Sequence, residues 1–488
     1  MGKKKNKNKV AGAVKTAAKT EKKLANKLKK HLANVGEEDI TKVIADIERE
    51  ELQRSTATEK ILPGPPTTRA FVSLTSHPTN NELIFFGGEF HNGQTTQVYN
   101  DLLIFNMEKR IWRQVKAPGA PPPRSGHQAV ATPANKGELW IFGGEFTSPT
   151  ETQFHHYKDL WCFSLTEKKW EKVSAPNGPC ARSGHRMVLC DQFIIVFGGY
   201  HDDGRSCRYF NDLYTFCLKT RTWSLVVAKG HNPDPRSGCL LLPASNDTLI
   251  IYGGFSRVRD GRAERTFTHT DMFRLYGRGA YRGAYRCRAY VFGGVADKEE
   301  TEEEIRGEVT DELLMLDLES CRWHDVNMRT DRSGADSTPS QPQPQPGTTK
   351  DDITVVTDEV FTMRLGGGRE QPARHEARHE ARHEARQPAP RRAGPCARMS
   401  AAMAIQRSVL YVYGGLLERG DKQFYLGDMY SLDLRKLNGW KTIIEQPSLP
   451  DWHGSDSDSD SDSEDEKTES GSKSDDSDSG DEDKMETH

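Results

Sequence analysis

The chain of 488 residues lacks any long apolar run. No stretch reaches the ~18 to 20 consecutive apolar residues needed to span a bilayer, and the lysine-rich start lacks the apolar core of a signal peptide. The opening "MGKKKN" places Asn6 where a myristoylation motif has Ser or Thr. These absences predict an intracellular protein without a membrane partner.

The nine cysteines are odd in number and form no C-x-x-C pair, so neither a disulfide framework nor a zinc knuckle is indicated. Gly-x-Ser-x-Gly, His-Glu-x-x-His and phosphate-loop motifs are also missing. Several histidines of the repeat region are not spaced as metal ligands: His127, His155, His156, His185 and His201. We therefore predict a protein that is not an enzyme, with no catalytic residues, no metal and no cofactor.

Charge is balanced overall, with 68 basic and 71 acidic side chains, but the two ends differ sharply. Positions 1–32 hold twelve Lys against one Glu, and positions 451–488 hold sixteen Asp and Glu against three Lys. We predict a basic, partly helical tail at 1–35 and a disordered, Ser/Asp-rich acidic tail at 447–488. Its "SDSDSDSDSEDE" resembles substrates of acidophilic kinases. We expect residues 1 to ~14 and 451–488 to make no contact with the folded domain.

What the sequence does have is a repeated phrase, an apolar run closed by two glycines. It occurs as "LIFFGGEF", "LWIFGGEF", "IIVFGGYH", "LIIYGGFS", "AYVFGGVA" and "LYVYGGLL", with first glycines at 87, 143, 198, 253, 293 and 414. The first four pairs are almost evenly spaced, the fifth follows early and the sixth follows late. The phrase is a repeat unit with two irregular spacings.

Three further markers recur in a fixed order around each glycine pair. An Asp opens an alternating stretch at 101, 159, 212, 271, 311 and 428, and a Trp follows at 112, 170, 223, 323 and 440. An Arg-Ser-Gly turn precedes the pairs at Arg124, Arg182 and Arg236, with weaker forms at Arg69 and Arg398. Each unit therefore predicts four short β-strands.

These four markers resemble the kelch repeat, and the resemblance implies an all-β, six-bladed kelch-type β-propeller over 64–446. The glycines permit close backbone approach near the axis, and the aromatic residues fill the space between neighbouring sheets. The fourth repeat is incomplete, because Gly293 follows Asp271 at only about half the spacing that separates Asp101 from Gly143. We predict three strands in blade four and a bridge over Tyr276 to Arg288.

A disordered insert is predicted at about 327–394, with one β-like island, "DITVVTDEVFTMRL". Inside it, His375, His379 and His383 would share one face of a helix and could chelate a cation, although an expanded tandem tract explains the same pattern. A short N-terminal helical segment is predicted at 36–60. It either packs on its own propeller or presents a face to a partner.

The kelch resemblance implies a non-catalytic interaction scaffold that binds protein or peptide partners at the propeller mouth. The positions it places there are Arg69, Arg124, Ser125, Arg182, Ser183, Arg236, Ser237 and Arg398, with Glu89, Glu145, Tyr200 and Phe255. A ring of guanidiniums suits acidic or phosphorylated partners. Alternatively, each arginine pairs with an Asp of a neighbouring turn and is structural.

Two other functions are open. Many kelch proteins are substrate adaptors of ubiquitin ligases, but the segment before this propeller is too short and too lysine-rich for a BTB domain. Some kelch propellers are metal-dependent enzymes, which the missing ligand spacings disfavour. Nucleic acid could bind only through the basic N-terminal tail, without sequence preference. The sequence does not fix an oligomeric state.

The lysine-rich start is the only signal in the chain that resembles a targeting sequence, so we predict an intracellular protein of the nucleus, the cytoplasm or both. Deleting residues 1–30 should shift a fluorescent fusion from the nucleus to the cytoplasm. An unchanged distribution in microscopy would leave the tail without an addressing role.

Overall fold

The structure is a computed structural model that describes residues 32, 36–204, 206–244, 248–260, 263–276, 288–299, 305–328, 355–358, 361–364, 394–420, 422–446, 448–449 and 452–453. In these ranges helix α1 (Ile40–Gln53) precedes six β-sheets that follow one another as blades. None of the described helices is long and apolar enough to cross a membrane. The predicted six-bladed, all-β propeller is confirmed.

Blades one to three share one strand order, in which an inner strand is followed by the Gly-Gly strand, the Asp strand and the outer Trp strand. Blade one comprises β1 (Thr58–Ile61), β2 (Ser73–Ser76), β3 (Glu82–Phe86), the hairpin β4 (Glu89–His91) and β5 (Thr96–Val98), β6 (Leu102–Asn106) and β7 (Ile111–Lys116). Blade two comprises β8 (Gln128–Thr132), a 3₁₀ turn (Ala134–Lys136), β9 (Glu138–Phe142), β10 (Glu145–Thr147), β11 (Phe154–His156), β12 (Leu160–Ser164) and β13 (Lys169–Val173). Blade three comprises β14 (Arg186–Cys190), β15 (Phe193–Phe197), β16 (Tyr200–Asp202), β17 (Cys207–Tyr209), β18 (Leu213–Cys217) and β19 (Thr222–Val226).

Blades four and five are each three-stranded in the described residues, and blade six is complete. Blade four comprises β20 (Leu240–Ala244), β21 (Thr248–Tyr252), β22 (Phe255–Asp260), β23 (Ala263–Thr268) and β24 (Met272–Tyr276). Blade five comprises β25 (Arg288–Phe292), β26 (Val295–Glu299), β27 (Ile305–Val309), β28 (Leu313–Asp317) and β29 (Arg322–Asp325). The β-like island of the insert forms a separate hairpin, β30 (Val355–Asp358) and β31 (Phe361–Arg364). Blade six comprises β32 (Ala402–Gln406), β33 (Val409–Arg419), β34 (Lys422–Asp433) and β35 (Lys441–Ile444).

The three-stranded blade four agrees with the spacing prediction in the described residues. The predicted bridge to blade five falls on 277–287, which lie outside those residues, as does the histidine tract of the insert.

The marker Asp predicted for blade five differs from the structure by one position. The amide of Gly293 donates to the carbonyl of Glu312, where blades one to four use their marker Asp, so Glu312 rather than Asp311 is the equivalent position in blade five.

Backbone hydrogen bonds at marker arginines join blade one to two, two to three, three to four and five to six. The amide of Gly144 in blade two donates to the carbonyl of Arg182 (2.9 Å), and the amide of Arg182 donates back to the carbonyl of Tyr157 in blade two (3.1 Å). A Cβ on Gly143 would lie 2.7 Å from the Arg182 carbonyl oxygen. The first glycine of the pair is therefore required by close backbone approach.

The ring closes where blade six meets the start of blade one. A Cβ on Gly414 would lie 2.9 Å from the carbonyl oxygen of Arg69, which repeats the contact between consecutive blades. The hydroxyl of Ser76 in β2 donates to the carbonyl of Ile405 in β32 at 2.9 Å. The last blade is thus held to the first by the geometry used around the rest of the ring.

Aromatic rings wedge between neighbouring blades. The Trp of one blade packs against the aromatic residue that precedes the Gly-Gly of the blade before it, in the pairs Phe86–Trp170, Phe142–Trp223, Tyr252–Trp323 and Phe292–Trp440, with centroids 5.1 to 5.6 Å apart. Trp112 shares a buried cluster with Tyr413 across the closing interface. Each buried ring contributes roughly 2 to 3 kcal/mol.

Helix α1 packs on its own propeller, which decides between the two alternatives for this segment. Asp39 caps it, because its carboxylate accepts from the amide of Thr41 at 2.8 Å. Ile40 and Ile44 are buried in a cluster with Phe146 of blade two. The helix therefore covers one side of blade two.

Two boundaries differ from the sequence predictions. The helical segment expected at 36–60 ends earlier, and Thr58–Ile61 instead adds a fifth strand along β7, because the outer edge of a blade offers unpaired backbone groups. The expectation that 451–488 makes no contact is wrong for Trp452 and His453. The ring of Trp452 lies 6.0 Å from that of His91, and the amide of His453 donates to the carbonyl of Asn92 at 2.9 Å.

The glycine contacts predict a position-dependent cost. Gly143 and Gly204 both have positive φ, +66° and +76°, but nothing lies within 4 Å of a Cβ at Gly204. Gly204→Ala should cost only the left-handed backbone penalty, about 1 to 2 kcal/mol. Gly143→Ala should cost of the order of 3 kcal/mol or more, because a backbone carbonyl must move. Chemical unfolding measures both, and equal losses would contradict the close-approach argument.

Candidate functional site

The marker arginines point their side chains into the propeller. Each guanidinium donates to the carbonyl of the first glycine of its own blade and to the marker Asp of that blade. Arg124 lies 3.0 Å from the carbonyl oxygen of Gly143 and 2.8 Å from Oδ1 of Asp159. The same pairs join Arg69 to Asp101, Arg182 to Asp212, Arg236 to Asp271 and Arg398 to Asp428.

These guanidiniums are buried and their charge is neutralised. Arg124, Arg182, Arg236 and Arg398 are 0% exposed and Arg69 is 3% exposed. Burial opposes ionisation of Asp159, but the charge and hydrogen bonds of Arg124 outweigh it and lower the pKa of that carboxyl. These internal contacts favour the alternative in which the arginines are structural, because their N–H donors already face acceptors inside the protein. A partner-binding role for the arginines stays a prediction.

The residues beside the arginines form the mouth of the propeller. Backbone hydrogen bonds link the turns of blades one to four in series, since the amide of Gly126 donates to the carbonyl of Phe71, that of Gly184 to Gly126, and that of Gly238 to Gly184. The residue after each marker arginine forms an isolated β-bridge with the residue after the Gly-Gly pair of the same blade. The mouth ring, as we define it, consists of the pairs Ala70–Glu89, Ser125–Glu145, Ser183–Tyr200, Ser237–Phe255 and Met399–Leu416. The sequence-predicted serines, glutamates and aromatics therefore do meet.

The mouth ring is polar along blades one to three. Oε2 of Glu89 accepts from the Ser125 hydroxyl at 2.7 Å, and its Oε1 accepts from the Tyr425 hydroxyl at 3.3 Å. Oε1 of Glu145 accepts from the Tyr200 hydroxyl at 2.8 Å. Among the described residues, no Lys or Arg forms an ion pair with either glutamate, so hydroxyl groups are the donors that stabilise both carboxylates.

Burial disfavours the ionised form of these two carboxylates and raises their pKa. Burial and the nearby charge of Glu89 raise the pKa of Glu145 to about 7, and burial raises the pKa of Glu89 as well. His156 lies 3.4 Å from Glu145, but burial and the neighbouring His201 lower its pKa to about 4. The imidazole is therefore neutral at pH 7 and does not compensate the glutamates.

The mouth ring is apolar along blade four and blade six. Phe255 and Leu416 occupy the positions that Glu89 and Glu145 hold on the polar side. Val295, the residue after the Gly-Gly of blade five, is 48% exposed. The arrangement can therefore accept a cationic group on one side and an apolar group on the other.

Sequence reasoning missed two polar neighbours of the mouth ring. Tyr425 comes from β34 of blade six and reaches Glu89 of blade one, so only ring closure brings the two together. His156 comes from the β10–β11 hairpin, where its Nδ1 lies 2.6 Å from the hydroxyl of Ser183. Its proximity to that serine had no sequence signal. No group of His, Cys, Asp and Glu in the described residues could hold a metal ion.

The fold and the recurring markers define the class of this protein as a six-bladed β-propeller. Residues 72–276, from blade one to the end of β24, match the model of the KLHDC2/KLHL20/DRC7 Kelch-repeats domain. Over these residues the chain is similar to kelch-repeat domains. Kelch propellers are generally protein-interaction domains.

Three similar proteins carry the comparison further. The chain is 28% identical to Kelch domain-containing protein 2 of Bos taurus, over 36% of this chain and 45% of that protein. It is 30% identical to Kelch domain-containing protein 3 of Bos taurus, over 28% and 37%. It is 27% identical to Acyl-CoA-binding domain-containing protein 5 of Arabidopsis thaliana, over 36% and 26%. The chain thus spans less than half the length of each of these relatives.

The buried arginines predict a large stability loss on substitution. Arg182→Met leaves Asp212 without its partner and should cost about 3 to 5 kcal/mol. Arg221→Met is the matched control, because it removes an ion pair with Glu171 whose side chains are 44% and 52% exposed, and it should cost about 1 kcal/mol or less. Equal, small losses in unfolding experiments would show that the guanidinium does not stabilise the ring.

Proposed function

We propose that this protein is a non-catalytic interaction scaffold that binds a peptide segment of a protein partner at the mouth ring, with a Lys or Arg side chain of the partner placed between Glu89 and Glu145. One observation carries the proposal. Two neighbouring carboxylates lie at the mouth, ionise reluctantly and face no cationic partner among the described residues. A cationic side chain would favour the ionised form of both carboxylates and would supply the missing partner charge.

This proposal changes the partner chemistry expected from the sequence. An acidic or phosphorylated peptide was expected because five arginines recur before the blades. Their guanidiniums are paired with Asp and buried, so their charge is already compensated and they are not accessible to an anion from solvent. The mouth instead offers acceptor oxygens on its polar side and Phe255 and Leu416 on its apolar side. A cationic residue next to an apolar one fits that combination.

A ubiquitin-ligase adaptor would use the same mouth for its substrate. That role additionally requires a surface that docks the ligase, and recovery of a ligase subunit with the purified chain would support it. The proposed binding at the mouth ring does not depend on this outcome, because a scaffold and an adaptor would bind the cationic side chain of a partner in the same way.

Peptide libraries test the proposal at the glutamates. Libraries with a fixed central Lys, Gln or Glu should be retained by the wild-type protein in that order. Glu89→Gln and Glu145→Gln should each weaken retention of the Lys library about tenfold or more, since a hydrogen bond to a charged group contributes about 1.5 to 3 kcal/mol. Glu167→Gln, an exposed carboxylate outside the mouth ring, is the matched control. Preferential retention of the Glu library would contradict the proposal.

The raised pKa of Glu145 predicts the direction of the pH effects. Protonation of Glu145 near pH 7 removes its charge, so retention of the Lys library should be weaker at pH 6 than at pH 8. The folded state holds this proton to higher pH than the unfolded state, so the ionised carboxylate costs stability as pH rises through about 7. Glu145→Gln should therefore melt at the same or a higher temperature at pH 8. Lower melting would indicate a structural role.

A further inference from the structure

An apolar slot lies between blades three and four. It is a cavity of about 260 Å³ whose apolar wall includes Phe197, Leu213, Ile251, Phe273 and Leu275. Val227 and Tyr276, the residues that directly follow β19 and end β24, are 83% and 70% exposed. Within the slot, Phe197, Leu213 and Ile251 are buried, whereas Phe273 and Leu275 of β24 are half-buried.

The equivalent slot between blades one and two is occupied by a tryptophan. There the corresponding cavity is about 100 Å³, and Trp170 of blade two is part of its wall. Trp170 pairs in register with Phe163 on the outer strand of its blade, and both rings pack together at 4.8 Å. Leu275 takes the position of Phe163 in blade four, at the same offset from the marker Asp. The slot against Phe197 is thus the place where a tryptophan opposite Leu275 would lie.

The edge of β24 next to this slot carries no strand in the described residues, since β24 pairs with β21 alone. The spacing from β24 to the next described strand is short. Eleven residues separate β24 from β25, whereas twelve separate the outer strand β13 from β14 alone. At about 3.3 to 3.6 Å per residue, a turn and an outer strand would use nearly all eleven before the chain crossed to blade five.

The neighbouring blades and charged side chains limit what can bind along the free edge of β24. The neighbouring blades each have an outer strand, β19 and β29, so the edge of β24 is recessed by one strand spacing, about 4.8 Å. A recess of that size admits one extended segment and not the sheet of a second copy. Lys229 lines the slot and forms no ion pair with a carboxylate among the described residues. The guanidinium of Arg274 on β24 instead donates to the carbonyl of Glu319 in blade five at 3.1 Å.

We propose that blade four binds an extended segment of a partner protein by strand addition along β24, with a tryptophan opposite Leu275 and an acidic residue beside it. The main-chain hydrogen bonds of an added strand provide affinity, and the slot provides side-chain selectivity. This site is separate from the mouth ring and does not depend on it.

The test uses the full chain and a synthetic peptide with the sequence of residues 165–175, "LTEKKWEKVSA", which carries Trp170 and Glu171. Fluorescence anisotropy should show binding that the Trp170→Ala peptide loses by tenfold or more. Hydrogen exchange of the Met272–Tyr276 amides should slow on binding. Lys229→Glu should weaken binding several-fold, and Leu275→Asp should abolish it. Leu52→Asp, at an exposed apolar position of α1, should bind as the wild type does.

Three outcomes would overturn the proposal. Equal affinity for the Trp170 and Trp170→Ala peptides would show that the slot does not select a tryptophan. Protection of Met272–Tyr276 in the free monomer would show that the chain itself covers the edge. A stable dimer with the same protection would assign the edge to a second copy.

Discussion

A buried arginine paired with an aspartate is the contact on which the ring depends. Its guanidinium ties the Gly-Gly turn to the Asp strand of its own blade, as Arg182 does with Gly198 and Asp212. Its backbone meanwhile bonds the Gly-Gly turn of the preceding blade. One residue therefore organises a blade and joins it to its neighbour. Because Arg69 meets Gly414 in the same way, the contact also closes the ring.

This use of the arginines determines the chemistry left at the mouth. With their charge matched by aspartates, the positive ring suggested by the sequence is not presented to solvent. The side chains that do line the mouth come from the next position after each arginine and from the position after Gly-Gly. Those positions carry Glu89 and Glu145 on one side and Phe255 and Leu416 on the other. The same repeat thus yields a rigid interior and a variable rim.

The blades could be predicted from sequence because their markers are local. Apolar alternation, paired glycines and turn residues act within a few positions of one another. The partners of the arginines were less predictable, because Arg124 and Asp159 are far apart in the chain and the spacing does not show which way the side chain points. Tyr425 joined the site only through ring closure, and the addition of β1 required a free blade edge. Only the backbone hydrogen bond from Gly293 identified Glu312 as the blade-five equivalent of the marker Asp.

The central claim is that the arginines are compensated while the mouth glutamates are not, and a carboxyl titration measures this directly. Nuclear magnetic resonance of side-chain-labelled glutamate, with the Glu145 signal assigned by loss in Glu145→Gln, gives the pKa of that group in the free protein. The account predicts a midpoint of about 7. A midpoint near the ordinary glutamate value of about 4.3 would show that the mouth carboxylate is solvated or already paired with a cation, and would contradict the account.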